Sequence, residues 1–215
     1  MNQINRRELA TRSRAWPSAI ARALARVGVT PNQVSLASVV FAFIAHAAFG
    51  QAGHFEATTL MLVVAAAAIQ LRLLCNLLDG LLAIEGELKS KTGELYNEIP
   101  DRVADILILV GAGFTLHEVS ESGPVLGVAA AILAVLTAYI RLLGGSLGLT
   151  QDFGGPMAKQ HRMFALTVGA LAAAVEYAVR GSIWSLEIAL WVIVLGTLLT
   201  LVLRTRRIAR ALKAR

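Results

Sequence analysis

The amino-acid sequence predicts an all-α polytopic membrane protein: six transmembrane helices behind an N-terminal amphipathic helix in the membrane interface. Hydrophobic residues make up 56% of the 215-residue chain and charged residues only 16%. The apolar residues fall in long runs separated by short charged connections, the pattern of a chain that must satisfy its backbone inside lipid. The cations cluster at the ends of these runs. The formal charge of +6 therefore reads as membrane-edge charge, and a nucleic-acid role is not expected.

The first thirty residues lack a continuous apolar core, so no signal peptide is expected. Residues 13–27, SRAWPSAIARALARV, put Trp16, Ile20, Leu24 and Val27 on one helical face, and Arg22 and Arg26 on the other. Such a helix lies in the cytoplasmic interface with its arginines toward anionic headgroups. Thr30, Pro31 and Asn32 then stop this helix and start the first span. Spans are expected at 33–50, 58–84, 94–117, 124–148, 162–180 and 183–203. The first, second, fourth and fifth are rich in alanine and glycine, which lets membrane helices approach closely. Pro100, which has no amide hydrogen, should kink the third span or make its start irregular.

The chain thus divides into a cytoplasmic interfacial segment, 1–32, one membrane domain, 33–203, and a basic cytoplasmic tail, 204–215. Arg6, Arg7, Arg12, Arg14, Arg22 and Arg26 precede the first span. Lys89, Lys91, Lys159 and Arg162 fall in two connections on the same side, while the opposite connections carry almost only Arg180. This asymmetry puts both termini in the cytoplasm and suits a bacterial inner membrane. Cys75 is the single cysteine, so no intramolecular disulfide can form. His46, His54 and His117 lack ligand-like spacing and are expected to be structural.

The most informative stretch is NLLDGLLAIEGELKSKTGELYNEIPDRVAD, residues 76–105. Asn76 and Asp79 stand three apart, and Asn97, Asp101 and Asp105 follow at intervals of four, so each set shares a helix face. Arg72 gathers with Asn76 and Asp79 toward the cytoplasmic end of its span, and Arg141, Lys159 and Arg162 should return to the same depth. Ionisable groups inside a membrane are costly and so are functional candidates. Carboxylate and amide oxygens are hard ligands for magnesium, manganese or calcium, and the cations suit phosphate oxygens. Metal and phosphate at a membrane surface point to chemistry on a lipid phosphate or diphosphate, in a cavity open to the cytoplasm. A buried polar network holding the helices together is the structural alternative.

This stretch resembles the CDP-alcohol phosphotransferases, whose pattern is D-x2-D-G-x2-A-R-x8-G-x3-D-x3-D. Here it reads Asn76-x2-Asp79-Gly80-x2-Ala83-Ile84-x8-Gly93-x3-Asn97-x3-Asp101, with the spacing kept at every position. Asn76, Ile84 and Asn97 depart from the pattern in residue type. The resemblance implies transfer of a phosphatidyl or phosphoalcohol group from a CDP-linked lipid donor to an alcohol acceptor, releasing CMP. It implies divalent cations, Mg2+ or Mn2+, held in the family by the motif aspartates in a pair, with Asp101 as the base that deprotonates the acceptor. The matching metal positions are Asn76, Asp79, Asn97 and Asp101, with Asp105 one turn further as a compensating ligand. Gly80, Ala83 and Gly93 let the cytidine nucleotide lie close to the helices, and Arg141, Lys159 and Arg162 are similar to cations on the acceptor side. A homodimer packed through membrane helices is also implied. The competing class is a retired member that keeps the pocket as a non-catalytic lipid- or nucleotide-binding protein. A small transporter would leave the motif spacing unexplained.

Overall fold

The computed structural model describes residues 15–54, 57–85 and 92–215. Within them the chain is all helix: α1 (Ala15–Arg26), α2 (Pro31–Ala52), α3 (Thr58–Glu85), α4 (Gly93–Phe114), α5 (Ser122–Ser146), α6 (Lys159–Arg180) and α7 (Trp184–Lys213). Lys89, Lys91 and the arginines before residue 15 lie outside the described residues.

Local chemistry sets the start of α2 where the sequence places it. Thr30 is the N-cap, its hydroxyl accepting from the Gln33 amide at 3.3 Å while the Thr30 amide donates to the Gln33 side chain at 2.9 Å. Pro31 follows at a position where its missing N–H costs nothing. At the far end of α6, Gly181 takes a left-handed φ of 69° and closes the helix on the Tyr177 carbonyl. Helix α4 is assigned unbroken across Pro100.

Helices α2 to α7 form a ring through their principal contacts. α2 packs on α3 and α4, α3 on α6, α6 on α7, α7 on α5, and α5 back on α4, while α1 lies against α3. The buried seams are made of small side chains such as Ala42, Ala45, Ala65, Ala104, Ala130, Ala134 and Ala170. Large apolar side chains point outward instead, among them Phe43, Leu60, Ile132, Phe164, Val175 and Leu195. Small residues in the seams, packed with buried Phe49, Leu62, Ile69, Leu109 and Leu166, and an apolar outer surface suit close helix approach and a lipid surround.

α2, α3, α5, α6 and α7 are long and apolar enough to cross a membrane. α4 matches α2 at 22 residues, but Glu94, Glu98, Asp101, Arg102 and Asp105 in its N-terminal half make it too polar to stand with them on composition. Two features mark the edges of the bundle. The segment expected as a separate tail continues α7 to Lys213, and Arg204 at its start is buried, donating to the Gly154 and Thr137 carbonyls at 2.9 Å each. Helix-favouring residues and basic charge near a C-terminus account for the continuation. In α1 it is Ala21 that packs against Leu78, Leu81 and Leu82 of α3, while Trp16, Ile20 and Val27 face outward.

Candidate active site

The polar groups singled out in the sequence meet inside the ring, between α3 and α4, with α6 and α5 supplying cations. On α3 the positions 72, 76 and 79 fall on one face, since they are four and three residues apart. On α4, Glu98, Asp101 and Asp105 fall on the facing surface.

Asp101 is 7% exposed and is reached from three helices. The Asn76 amide donates to its Oδ1 at 2.9 Å and Arg72 Nη2 lies 3.4 Å from the same atom. The Lys159 Nζ, from the first turn of α6, is 2.5 Å from Oδ2, and Arg102 is 3.6 Å from it. Asp105, one turn deeper, has no exposed surface at all; Arg72 holds its Oδ1 at 2.7 Å and Arg162 its Oδ2 at 3.3 Å. Arg162 is itself buried and also donates to the Met157 carbonyl and the Thr137 hydroxyl. Asp105 thus anchors two guanidinium groups, and its lone pairs point at protein. Arg141 forks onto both Glu98 oxygens at 2.6 and 2.7 Å, reaches Gln151 at 2.6 Å, and lies 4.9 Å from the Phe153 ring centre.

Asp79 is different. It is buried and accepts from the Ser35 hydroxyl of α2 at 2.6 Å, and it shares a face of α3 with Asn76, whose amide reaches Asp101. Unlike Glu98, Asp101 and Asp105, it has no Lys or Arg partner among the described residues. Asn97 is exposed on the outer side of α4 and makes no side-chain hydrogen bond to a described residue. Gly80 and Ala83 are half-buried beside Asp79, and a Cβ at Gly93 would meet nothing within 4 Å.

Two of these partners were not assigned from sequence. Arg72 carried a signal, standing four residues before Asn76 on its face, yet nothing in the spacing says that it spans to Asp105. Ser35 carried none, because serine in an Ala-rich helix reads as a packing residue. The histidines behave as expected: His46 bonds the Leu107 carbonyl at 3.0 Å and His117 pairs with Glu118 at the surface.

Among the described residues no three His, Cys, Asp or Glu side chains converge as a preformed metal site. What converges is two carboxylates and an amide: Asp79, Asp101 and Asn76. All three are hard oxygen ligands, and Asp79 brings an unneutralised charge, so the set fits one divalent cation. A cavity of about 150 Å³ lies at the opposite ends of the helices, lined by Leu116, Val119, Ser182, Ile183, Trp184 and Glu187.

No family model matches the chain. It is 27% identical over 190 residues to the phosphatidylinositol phosphate synthase of Streptomyces avermitilis, covering 87% of this chain and 75% of that protein. It is 24% identical over 147 residues to the inner membrane protein YnbA of Escherichia coli, covering 68% of this chain and 69% of that protein. Among solved structures, the fold matches the phosphatidylinositol phosphate synthase of Mycobacterium tuberculosis with CDP-DAG bound. There the TM-score is 0.74 at 21% identity, covering 89% of this chain and 92% of that one. The same synthase in complex with manganese and citrate matches with the same TM-score and identity, covering 88% of that chain.

Proposed function

We propose that this chain, a member of the CDP-alcohol phosphotransferase family, transfers a phosphatidyl or phosphoalcohol group from a CDP-linked lipid to an alcohol and releases CMP. The observation that carries the reading is the meeting of Asn76, Asp79 and Asp101 in the family's register, on a fold shared with a synthase solved with CDP-DAG bound. In the reaction the acceptor hydroxyl oxygen forms a bond to the lipid-side phosphorus, the bond from that phosphorus to CMP breaks, and Asp101 takes the hydroxyl proton. Asp101 is held at 2.5 Å by Lys159, so acceptor binding must loosen that pair before the carboxylate can serve as base. Asp79, Asn76 and Asp101 would hold a divalent cation, Mg2+ or Mn2+, which would supply charge neutralisation for the donor diphosphate. Gly80, Ala83 and Gly93 leave room for the nucleotide along α3 and the start of α4.

On the acceptor side, Lys159 and Arg141 are the cations nearest the rim, and an acceptor phosphate would exchange with Glu98 on the Arg141 fork. Arg162, at 2% exposure, acts through Asp105. α4 serves as the sixth span, its polar half turned into the ring, and α1 lies in the interface with Trp16 and Ile20 toward lipid. The site then faces the cytoplasm at a bacterial inner membrane, a reading that the basic ends and connections of the sequence support. A homodimer completes the reading.

The test is release of CMP from CDP-diacylglycerol by the purified protein, with Mg2+ or Mn2+ and a panel of phosphorylated and neutral alcohols. Release that depends on one acceptor identifies the substrate. No release across metals, pH and acceptors would leave the retained pocket as a non-catalytic lipid- or nucleotide-binding site.

A further inference from the structure

We propose that Arg72 is a resident cation of the site, whose guanidinium neutralises Asp101 and Asp105 from within so that the chain holds one divalent cation where two would otherwise sit. The inference rests on the metal-dependent reading above and concerns this chain's own residues. Its starting point is the buried layer around Asp101 and Asp105. Arg72, Arg162 and Lys159 bring three positive groups to these two carboxylates within 3.4 Å. A divalent ion placed in that layer would meet three fixed cations, and at such separations like charges repel strongly wherever water is excluded.

The geometry of Arg72 is that of a built component. It has no exposed surface and comes from α3, yet its Nη2 reaches the Asp101 carbonyl, the Asp101 carboxylate and the Asp105 carboxylate, all on α4. Principal helix contacts do not join α3 to α4 directly, so this side chain bridges the interior of the ring. Two carboxylates one turn apart on a helix face repel, and a buried guanidinium between them removes that cost. On the outer side Asp79 makes no ion pair among the described residues and accepts from Ser35, while Asn76, three residues before it on the same face of α3, donates to Asp101. One uncompensated carboxylate, one amide oxygen and one shared carboxylate define a single cation site. Asn97 is exposed and Asp105 is enclosed by arginines, so neither completes a second.

The experiment counts Mn2+ on the purified full chain in detergent by electron paramagnetic resonance, following loss of the free-ion signal during titration. The expected result is one Mn2+ per chain with no sign of a coupled pair. Arg72→Gln, which uncovers Asp101 and Asp105, should bind a second Mn2+, and Arg72→Lys, which keeps the charge, should bind one. Two Mn2+ in the parent, or none, overturns the inference, and so does a count of one that stays unchanged in a folded Arg72→Gln. If Arg72→Gln does not fold, the parent count and Arg72→Lys still decide. CMP release measured on the same preparations separates this failure from that of the transferase reading, which does not depend on the number of cations.

Discussion

The side chain on which the chemistry turns is Asp101, and its surroundings say what its removal should do. Every partner of its carboxylate is a donor or a cation: Asn76, Arg72, Lys159 and Arg102. Asp101→Asn keeps the shape but removes the charge and the ability to take a proton. Turnover should fall by about 10²- to 10⁴-fold, the usual contribution of a general base, measured as CMP release. Binding of the CDP-lipid, followed separately, should change far less; equal losses in both would make Asp101 a structural ion-pair partner only. Ser35 gives a second, gentler handle. Among the described residues its hydroxyl, at 2.6 Å, is the side-chain donor to the buried Asp79. A hydrogen bond to a charged group is worth about 1.5–3 kcal/mol, so Ser35→Ala should raise the half-activating metal concentration about ten- to a hundred-fold. Acceptor KM should be left alone, and a change confined to acceptor KM would detach Asp79 from the metal.

At the level of elements, the close approach of α4 and α5 depends on glycine. A Cβ at Gly113 would come within 2.6 Å of the Gly127 Cα, and one at Gly127 within 2.8 Å of the Gly113 Cα. Backbone cannot yield as a flexible side chain can, so Gly113→Ala should force the helices apart at a cost of about 1–3 kcal/mol. Gly50→Ala is the control, since a Cβ there meets nothing within 4 Å and alanine favours the helix. Thermal unfolding in detergent should drop for the first and hold or rise for the second; equal shifts would mean that the glycines do not set the crossing. Much at this level was legible in the sequence. The apolar runs gave five of the six long helices within a few residues of their bounds, while α7 runs on past 203 to Lys213, and the Thr30-Pro31 signal marked the start of α2. The ring order was not legible, because alanine-rich seams look alike and no spacing tells one partner from another. The burial of Arg162 and Arg204 was not legible either. Hydropathy assigns an arginine to the membrane edge, whereas each here finds enough buried carbonyl and carboxylate oxygens to stay inside.

For the whole molecule, site and orientation are one question. Asn76, Asp79, Asp101, Arg141 and Lys159 sit at the ends of α3, α4, α5 and α6 that share one side of the ring. The motif spacing foretold that polar side chains of α3 and α4 face each other, which they do by reaching across the ring, and the placing of charge foretold that α5 and α6 bring their cations to the same depth. It did not foretell that those cations would be paired with Glu98, Asp101 and Asp105, since pairing is decided by side-chain reach across the ring. On the proposed reading this side faces the cytoplasm, as the excess of Lys and Arg in its sequence connections suggests. In a Cys75→Ala background, single cysteines at Lys89, Gln51 and Ser120 report the sidedness. Gln51 lies at the end of α2 and Ser120 in the connection from α4 to α5, both opposite the site, whereas position 89 falls in the connection from α3 to α4. A membrane-impermeant thiol reagent added to intact cells should label Gln51→Cys and Ser120→Cys and spare Lys89→Cys until the membrane is opened. Labelling of Lys89→Cys alone would turn the molecule over. The acceptor and the donor nucleotide would then have to come from outside the cell, and a biosynthetic transferase drawing on cytoplasmic CDP-lipid would no longer fit the fold's placement.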